Sequence, residues 1–206
     1  MIRILHATLL ASPAVFGVSV LLHAQPPSAS STWRIADVPA DLKPAIERAD
    51  IYITAQHSAL LRQLTQAVSR GGVALAIESC HLDATSQAYW VGRQHGYAIG
   101  RTSDRLRSPT NAPRPWAAAI IRDYAGKQAA DVDGFALDLG ERIGVLRPIA
   151  MRPVCASCHA APERISAQVK DVLTDRYPRD RAVGFASGEI RGWYWMEIPK
   201  PARTGR

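Results

Sequence analysis

Cys155, Ala156, Ser157, Cys158 and His159 follow one another in the chain, and their types and spacing set the chemistry open to it. Two thiols three residues apart can reach the two vinyl groups on one edge of a porphyrin. The adjacent imidazole then points beneath the ring and binds iron from the near face. C-x-x-C-H is the attachment sequence for c-type haem. Three other readings compete: a Cys155–Cys158 redox disulfide, half of a zinc site, and a chance run. A zinc site wants a second ligand pair at metal-binding spacing, and Cys80 is the one cysteine left over. A thioredoxin-like site opens a helix after a strand in a βαβ setting, which the apolar run before Cys155 partly fits. Covalent haem is the reading the motif favours.

One histidine leaves the sixth position of the iron open or filled from elsewhere. Cys80, His81, His57, His95, Met151 and Met196 are the candidates. Met151 lies only four residues before Cys155, so reaching the opposite face would be awkward. Cys80 sits in an apolar segment, where a free cysteine ordinarily acts as a small buried hydrophobe, yet an unpaired thiol in an exported chain is worth notice. His57, at helical spacing, reads more simply as a helix-surface or packing residue.

Export is suggested by the N-terminus. Arg3 is the only charge before Arg34, the stretch from Ile4 to Leu22 is mostly Leu, Val, Ala and Ile, and Leu22-His23-Ala24 ends it on a small residue. This is the order of a secretory signal peptide, in a setting that suits c-haem attachment, which in bacteria happens outside the cytoplasm. Pro13 and Gly17 argue against a membrane-spanning helix. The expected organisation is a signal peptide over 1–24, a linker over 25–37 beginning Gln25-Pro26-Pro27-Ser28, one domain over 38–198 and a basic tail over 199–206, with the mature protein soluble in a bacterial periplasm. At 206 residues, 47% hydrophobic and 21% charged, with a mean hydropathy of −0.09, the chain excludes a polytopic membrane protein and makes wholesale disorder a poor fit. Three cysteines exclude a disulfide-built scaffold. The net charge of +7 comes from scattered Lys and Arg without a run of four, so nucleic acid is not an expected partner.

The elements that must position the motif can be read from periodicity. Ile46, Ala49, Ile53, Leu60, Leu64 and Val68 recur at spacings of three, four and seven, which predicts a long helix over Pro44–Ser69 with Asp41 as N-cap and Pro44 in the first turn. Gly71-Gly72 interrupts it, and Val73–Thr85 predicts a second, mostly buried helix. A short strand is expected at Tyr97–Arg101, a structured loop at Ser108–Pro113 and a helix over Pro113–Ala125. Phe135–Gly140 and Val145–Met151 suggest a hairpin around Gly140 and Gly144. A helix is expected over Glu163–Leu173 and an aromatic strand over Ile190–Ile198. Helices first and antiparallel strands later point to an α+β domain.

Five stretches, in this order, carry a resemblance: Gly71-Gly72 through Ala76-Ile77 to Cys80; Gly100-Arg101-Thr102-Ser103; Arg107-Ser108-Pro109-Thr110-Asn111-Ala112-Pro113 with Trp116; the C-x-x-C-H; and Tyr177-Pro178 through Asp180, Ala182, Gly184-Phe185 and Gly188 to Arg191-Gly192. Together they span about residues 40 to 198. The chain resembles a family of small PAS-like c-type haem proteins that includes a cyanobacterial single-haem cytochrome and sensor domains of membrane histidine kinases. Small departures occur at Ser108, Ala117 and Ala160, where the family usually has Asn, Glu and Gly. The resemblance implies a PAS-like α+β fold, a central antiparallel sheet with a long N-terminal helix and flanking helices. It also implies one haem c held by Cys155 and Cys158, with His159 as one axial ligand and Cys80 aligned with a family cysteine that can be the other.

A thiolate favours ferric over ferrous iron and lowers the reduction potential. Two protein ligands also close the iron to substrate, which disfavours a haem enzyme. Arg101, Arg107 and Asn111 lie in the family's loop motif and are candidates for the haem propionates, beside the plainer reading of surface or loop-capping groups. Trp116 reads as core packing before electron relay. One-electron transfer to a redox partner, acidic or membrane-associated given the basic surface, is the expected function. A redox- or gas-responsive sensor acting through a partner protein is the alternative.

Overall fold

The computed structural model describes residues 31–83 and 96–201, with side chains described for these except 78–83. The expected signal peptide, His95 and the side chains of Cys80 and His81 lie outside the described residues. No helix among the described residues is long and apolar enough to cross a membrane.

Five strands form one antiparallel sheet: β1 (Thr32–Arg34), β2 (Ala98–Thr102), β3 (Phe135–Asp138), β4 (Arg142–Ala150) and β5 (Ile190–Pro199), in the spatial order β1-β3-β4-β5-β2. Alternation along the strands sorts the two faces. One face buries Ile143, Val145, Tyr194, Met196 and Ile198 against Ile46, Ala49 and Ile53 of the long helix α1 (Lys43–Asp83). The other buries Phe135, Leu137, Leu146, Ile190 and Trp193 against Ile121 of the short helix α2 (Ala118–Asp123). Helix α3 (Ala156–His159) is a single turn, and α4 (Ala167–Arg176), capped by Ser166 Oγ accepting from the Val169 N–H at 3.4 Å, packs Val169 and Leu173 against Ile77 of α1. This is the α+β, PAS-like arrangement expected from the sequence.

Several boundaries differ from expectation for local reasons. α1 is broken at the expected place, because Gly71 (φ −155°, ψ 21°) and Gly72 (φ 73°, ψ −171°) leave helical geometry, and a positive φ there suits only a residue without Cβ. The helix starts at Lys43, so Asp41 is not its cap; the Lys43 N–H bonds to the Ala40 carbonyl of a preceding turn at 3.4 Å. The helix expected over Pro113–Ala125 shrinks to α2, and the one expected from Glu163 begins at Ala167 behind a 3-10 turn at Pro162–Arg164. Gly144 lies inside β4 rather than in the turn. Part of the segment read as a linker is a strand: Thr32, Trp33 and Arg34 pair with Leu137, Ala136 and Phe135. That pairing is made across more than a hundred residues, and three residues carry too little periodicity to announce it.

Trp116 is a packing residue: it lies against the α2-side core and its Nε1–H donates to Glu197 Oε1 at 2.9 Å. Burial works to raise the Glu197 pKa, but the hydrogen bonds from Arg114 and Trp116 outweigh it and hold the carboxyl below its ordinary value of 4.5. The stability this lowering contributes is therefore complete above 4.5 and is lost as the pH falls through the lower folded-state value. Replacing Glu197 by Gln is expected to flatten that part of the acid limb in pH-dependent urea unfolding; an unchanged slope would show that other carboxylates govern it. Gly192 on β5 faces the Thr102 carbonyl so closely that a Cβ would lie 2.6 Å from the oxygen. Gly192→Ala is expected to destabilise the fold by about 1–3 kcal/mol through forced displacement of β2 from β5, as measured by chemical denaturation.

Candidate functional site

The α1 face of the sheet is not filled along its whole length. Beyond Ile149, sheet and helix separate around a cavity of about 420 Å³, within the range of small-molecule and cofactor sites. His57, Leu60, Leu61 and Leu64, at helical spacing on α1, make one wall. Ala76 and Ile77, past the Gly71-Gly72 break, make another. Arg101, Arg191 and Gly192 come from β2 and β5, and Cys155, Cys158 and His159 close the remaining side. Cys155 and Cys158 are not joined in a disulfide, and both are half-buried.

His159 lies in the cavity wall with its imidazole held by a hydrogen bond. Its Nδ1 lies 2.7 Å from the Ala182 carbonyl oxygen. A carbonyl only accepts, so Nδ1 carries the proton and Nε2 keeps its lone pair, the arrangement that a metal-binding imidazole requires. Burial, then the charges of Arg107 and Arg191, with Arg101 weaker, hold its pKa well below the ordinary 6.5, against the opposing pull of the Ala182 carbonyl. The ring is neutral at neutral pH and in its ligating form.

The segment 180–189 fixes this geometry. The Phe185 N–H donates to the His159 carbonyl at 3.1 Å and the Gly184 N–H to the Ala160 carbonyl at 2.9 Å. Arg107 Nε donates to Asp180 Oδ2 at 3.0 Å, and its Nη2 donates to the Cys158 carbonyl at 2.5 Å and the Ala182 carbonyl at 3.4 Å. Arg105 lies over the Phe185 ring at 3.6 Å, donates to the Val183 carbonyl at 3.2 Å and pairs with the buried Glu189. Arg107 thus ties α3 to Asp180 and Ala182, and Arg105, from the same loop after β2, clamps Val183, Phe185 and Glu189 of that segment.

Cys155, Cys158, His159, Arg101, Arg107 and Asn111 all line this cavity, in differing roles. Arg101 and Asn111 border it, as does Arg107. The Arg107 guanidinium, however, is engaged with Asp180 and two carbonyls, so it braces the motif. Of the candidate sixth ligands, Met151 is buried beside Ala160 and Phe185, and Met196 lies in the core between sheet and α1; neither borders the cavity. His57 does, with Nδ1 3.1 Å from the Tyr194 hydroxyl. Cys80 falls three residues past Ile77 on α1, its side chain outside the described residues. Sequence reasoning passed over the cationic wall made by Arg191 and the clamp made by Arg105; Arg191-Gly192 stood in the motif that carries the resemblance, without an assigned role.

The donor set fits an iron porphyrin: two thiols beside an edge, one imidazole with a free Nε2, apolar helix walls and arginines for carboxylates. Among the described residues no three His, Cys, Asp or Glu are grouped to hold a bare metal ion.

The sequence profile of the Tll0287-like family matches residues 36–199. Among solved structures, the crystal structure of the cyanobacterial heme-protein Tll0287 is similar, with a TM-score of 0.54 and 22% sequence identity, covering 75% of this chain and 96% of that one. No curated protein matches the chain.

Arg107→Met leaves Asp180 Oδ2 and the Cys158 carbonyl without their donor, and the Ala182 carbonyl with His159 alone, in a site only 17% and 11% exposed at the paired side chains. It is expected to cost about 3 kcal/mol in urea unfolding and to lose most of that cost in an Asp180→Asn background; equal losses in both backgrounds would show that the two residues act separately.

Proposed function

The chain belongs to the Tll0287-like family, and from that premise we propose that it is an exported cytochrome that carries one covalent haem c and passes single electrons. The observation that carries this reading is the convergence of Cys155, Cys158 and a neutral His159 with Nε2 free on one cavity of suitable size. The solved relative is named as a heme-protein, which supports the same cofactor here.

In this reading Cys155 and Cys158 would hold the porphyrin, each S–H adding across a vinyl group to give a thioether, and His159 Nε2 would bind the iron while Nδ1–H stays on Ala182. The bound haem supplies a reversible one-electron step. Cys80 would be the second protein ligand to the iron; its place on α1 three residues beyond the cavity-lining Ile77 supports that assignment. A thiolate there sets a low potential and leaves no position for substrate, so the chain's own work is to hold, orient and desolvate. The leader-like residues 1–24 support export to a periplasm, and the net charge of +7 suits an acidic redox partner or an anionic membrane surface.

The deciding experiment is the visible spectrum of protein exported with c-haem maturation machinery, oxidised and reduced. Sharp low-spin bands with haem retained through denaturation are expected, and Cys155→Ala/Cys158→Ala should abolish retention. Absence of covalent haem in the unaltered chain would overturn the reading. Cys80→Ser is expected to shift the ferric Soret band and raise the reduction potential; an unchanged spectrum and potential would remove Cys80 as ligand.

One observation favours a second reading, a sensor acting through a partner protein. Gly71-Gly72 is a break between the α1 segment carrying His57–Leu64 and the one carrying Cys80, and loss of Cys80 from iron would free the latter to pivot. A spectrum that turns high-spin or binds carbon monoxide on reduction would move the assignment there.

A further inference from the structure

β5 contains one residue too many. Its ladder with β4 pairs Ile149 with Gly192 and Ala150 with Ile190, so Arg191 has no partner across the strand and forms a bulge. A bulge shifts every residue beyond it by one position and so exchanges the faces. Tyr194 and Met196 point to the α1 side and Trp193 to the α2 side. Strict alternation would then send Arg191 with Trp193 into the apolar α2-side core and Ile190 toward the cavity. The structure has the reverse: Ile190 is buried in the α2-side core, and Arg191 lines the cavity.

The arginine so re-aimed is electrically incomplete. Arg105 is paired with Glu189 and Asp104, and Arg107 with Asp180. The Arg191 guanidinium has no ion pair or side-chain hydrogen bond to another described residue, and its Nε is buried without an acceptor. A buried, unmatched donor on a cation is costly, and a fold retains one where a ligand supplies the acceptor. Its charge reaches both His57 and His159 across the cavity, and Arg101 stands on the same face, opposite Tyr194 in the β2–β5 ladder. An anion inside this cavity would supply the acceptor that Arg191 lacks.

Resting on the haem reading above, we infer that Arg191, presented by the β5 bulge, is the anchor for a carboxylate of the porphyrin. In this arrangement Arg105 and Arg107 build the cradle, and Arg191 holds the propionate through charge-assisted hydrogen bonds.

The test uses the full mature chain with Cys155→Ala/Cys158→Ala, so that binding is reversible, titrated with haem and with haem dimethyl ester, whose two carboxylates are capped. Adding Arg191→Gln is expected to weaken haem binding roughly 10- to 100-fold while changing ester binding less than about twofold. Arg191→Lys should recover part of the loss. Arg122→Gln, an exposed arginine on α2, should change neither. Equal weakening toward haem and ester would overturn the anchor and leave Arg191 a structural residue, and so would no weakening at all. A parent chain that binds ester as tightly as haem also overturns it, while the haem reading survives. A parent that binds neither overturns both.

Discussion

The carbonyl oxygen of Ala182 accepts from His159 Nδ1 and from Arg107 Nη2, and the site is organised around that shared acceptor. The first contact selects the imidazole tautomer and therefore which nitrogen faces the cavity. The second ties the same loop to Asp180 and to the Cys158 carbonyl through one guanidinium. A planar fork with several fixed donors can join three segments at once, which a lysine could not do. The single turn of α3 is too short to hold its own geometry, so its placement is borrowed from these contacts.

The cavity itself follows from the way α1 meets the sheet. Near its N-terminal end the helix buries Ile46, Ala49 and Ile53 against the strands and the core is closed. Farther along, His57 and three leucines face a gap, and the Gly71-Gly72 break redirects the chain so that Ala76 and Ile77 border the same space. Apolar walls on the helix side and arginines on the strand side give the gap two ends of opposite character. A flat apolar molecule with carboxylates at one edge matches that polarity.

Much of this was legible. The break in α1, the β3–β4 hairpin, the aromatic strand β5 and the α+β class were written in spacing and in Gly positions, because these are set by contacts among near neighbours. The reading of Arg107 as a propionate candidate left out its bracing role: it borders the cavity, but its carboxylate partner Asp180 is 73 residues distant, and no local pattern shows which acid an arginine will find. β1 was hidden for the same reason. Met151 and Met196 stood as ligand candidates by residue type alone, and packing puts both elsewhere.

What the sequence determined by itself is the chemistry of the motif. Two thiols and an imidazole within five residues stay near one another whatever the rest of the chain does, so their being available together needs no long-range information, although the turn that fixes their geometry is held by tertiary contacts. Only the tertiary structure decided which arginine is left unmatched. Arg191 belongs to a strand whose alternation places it in an apolar core, and a single unpaired position in the β4–β5 ladder turns it to the other face. Register is a property of two strands together, and the sequence of one strand cannot state it.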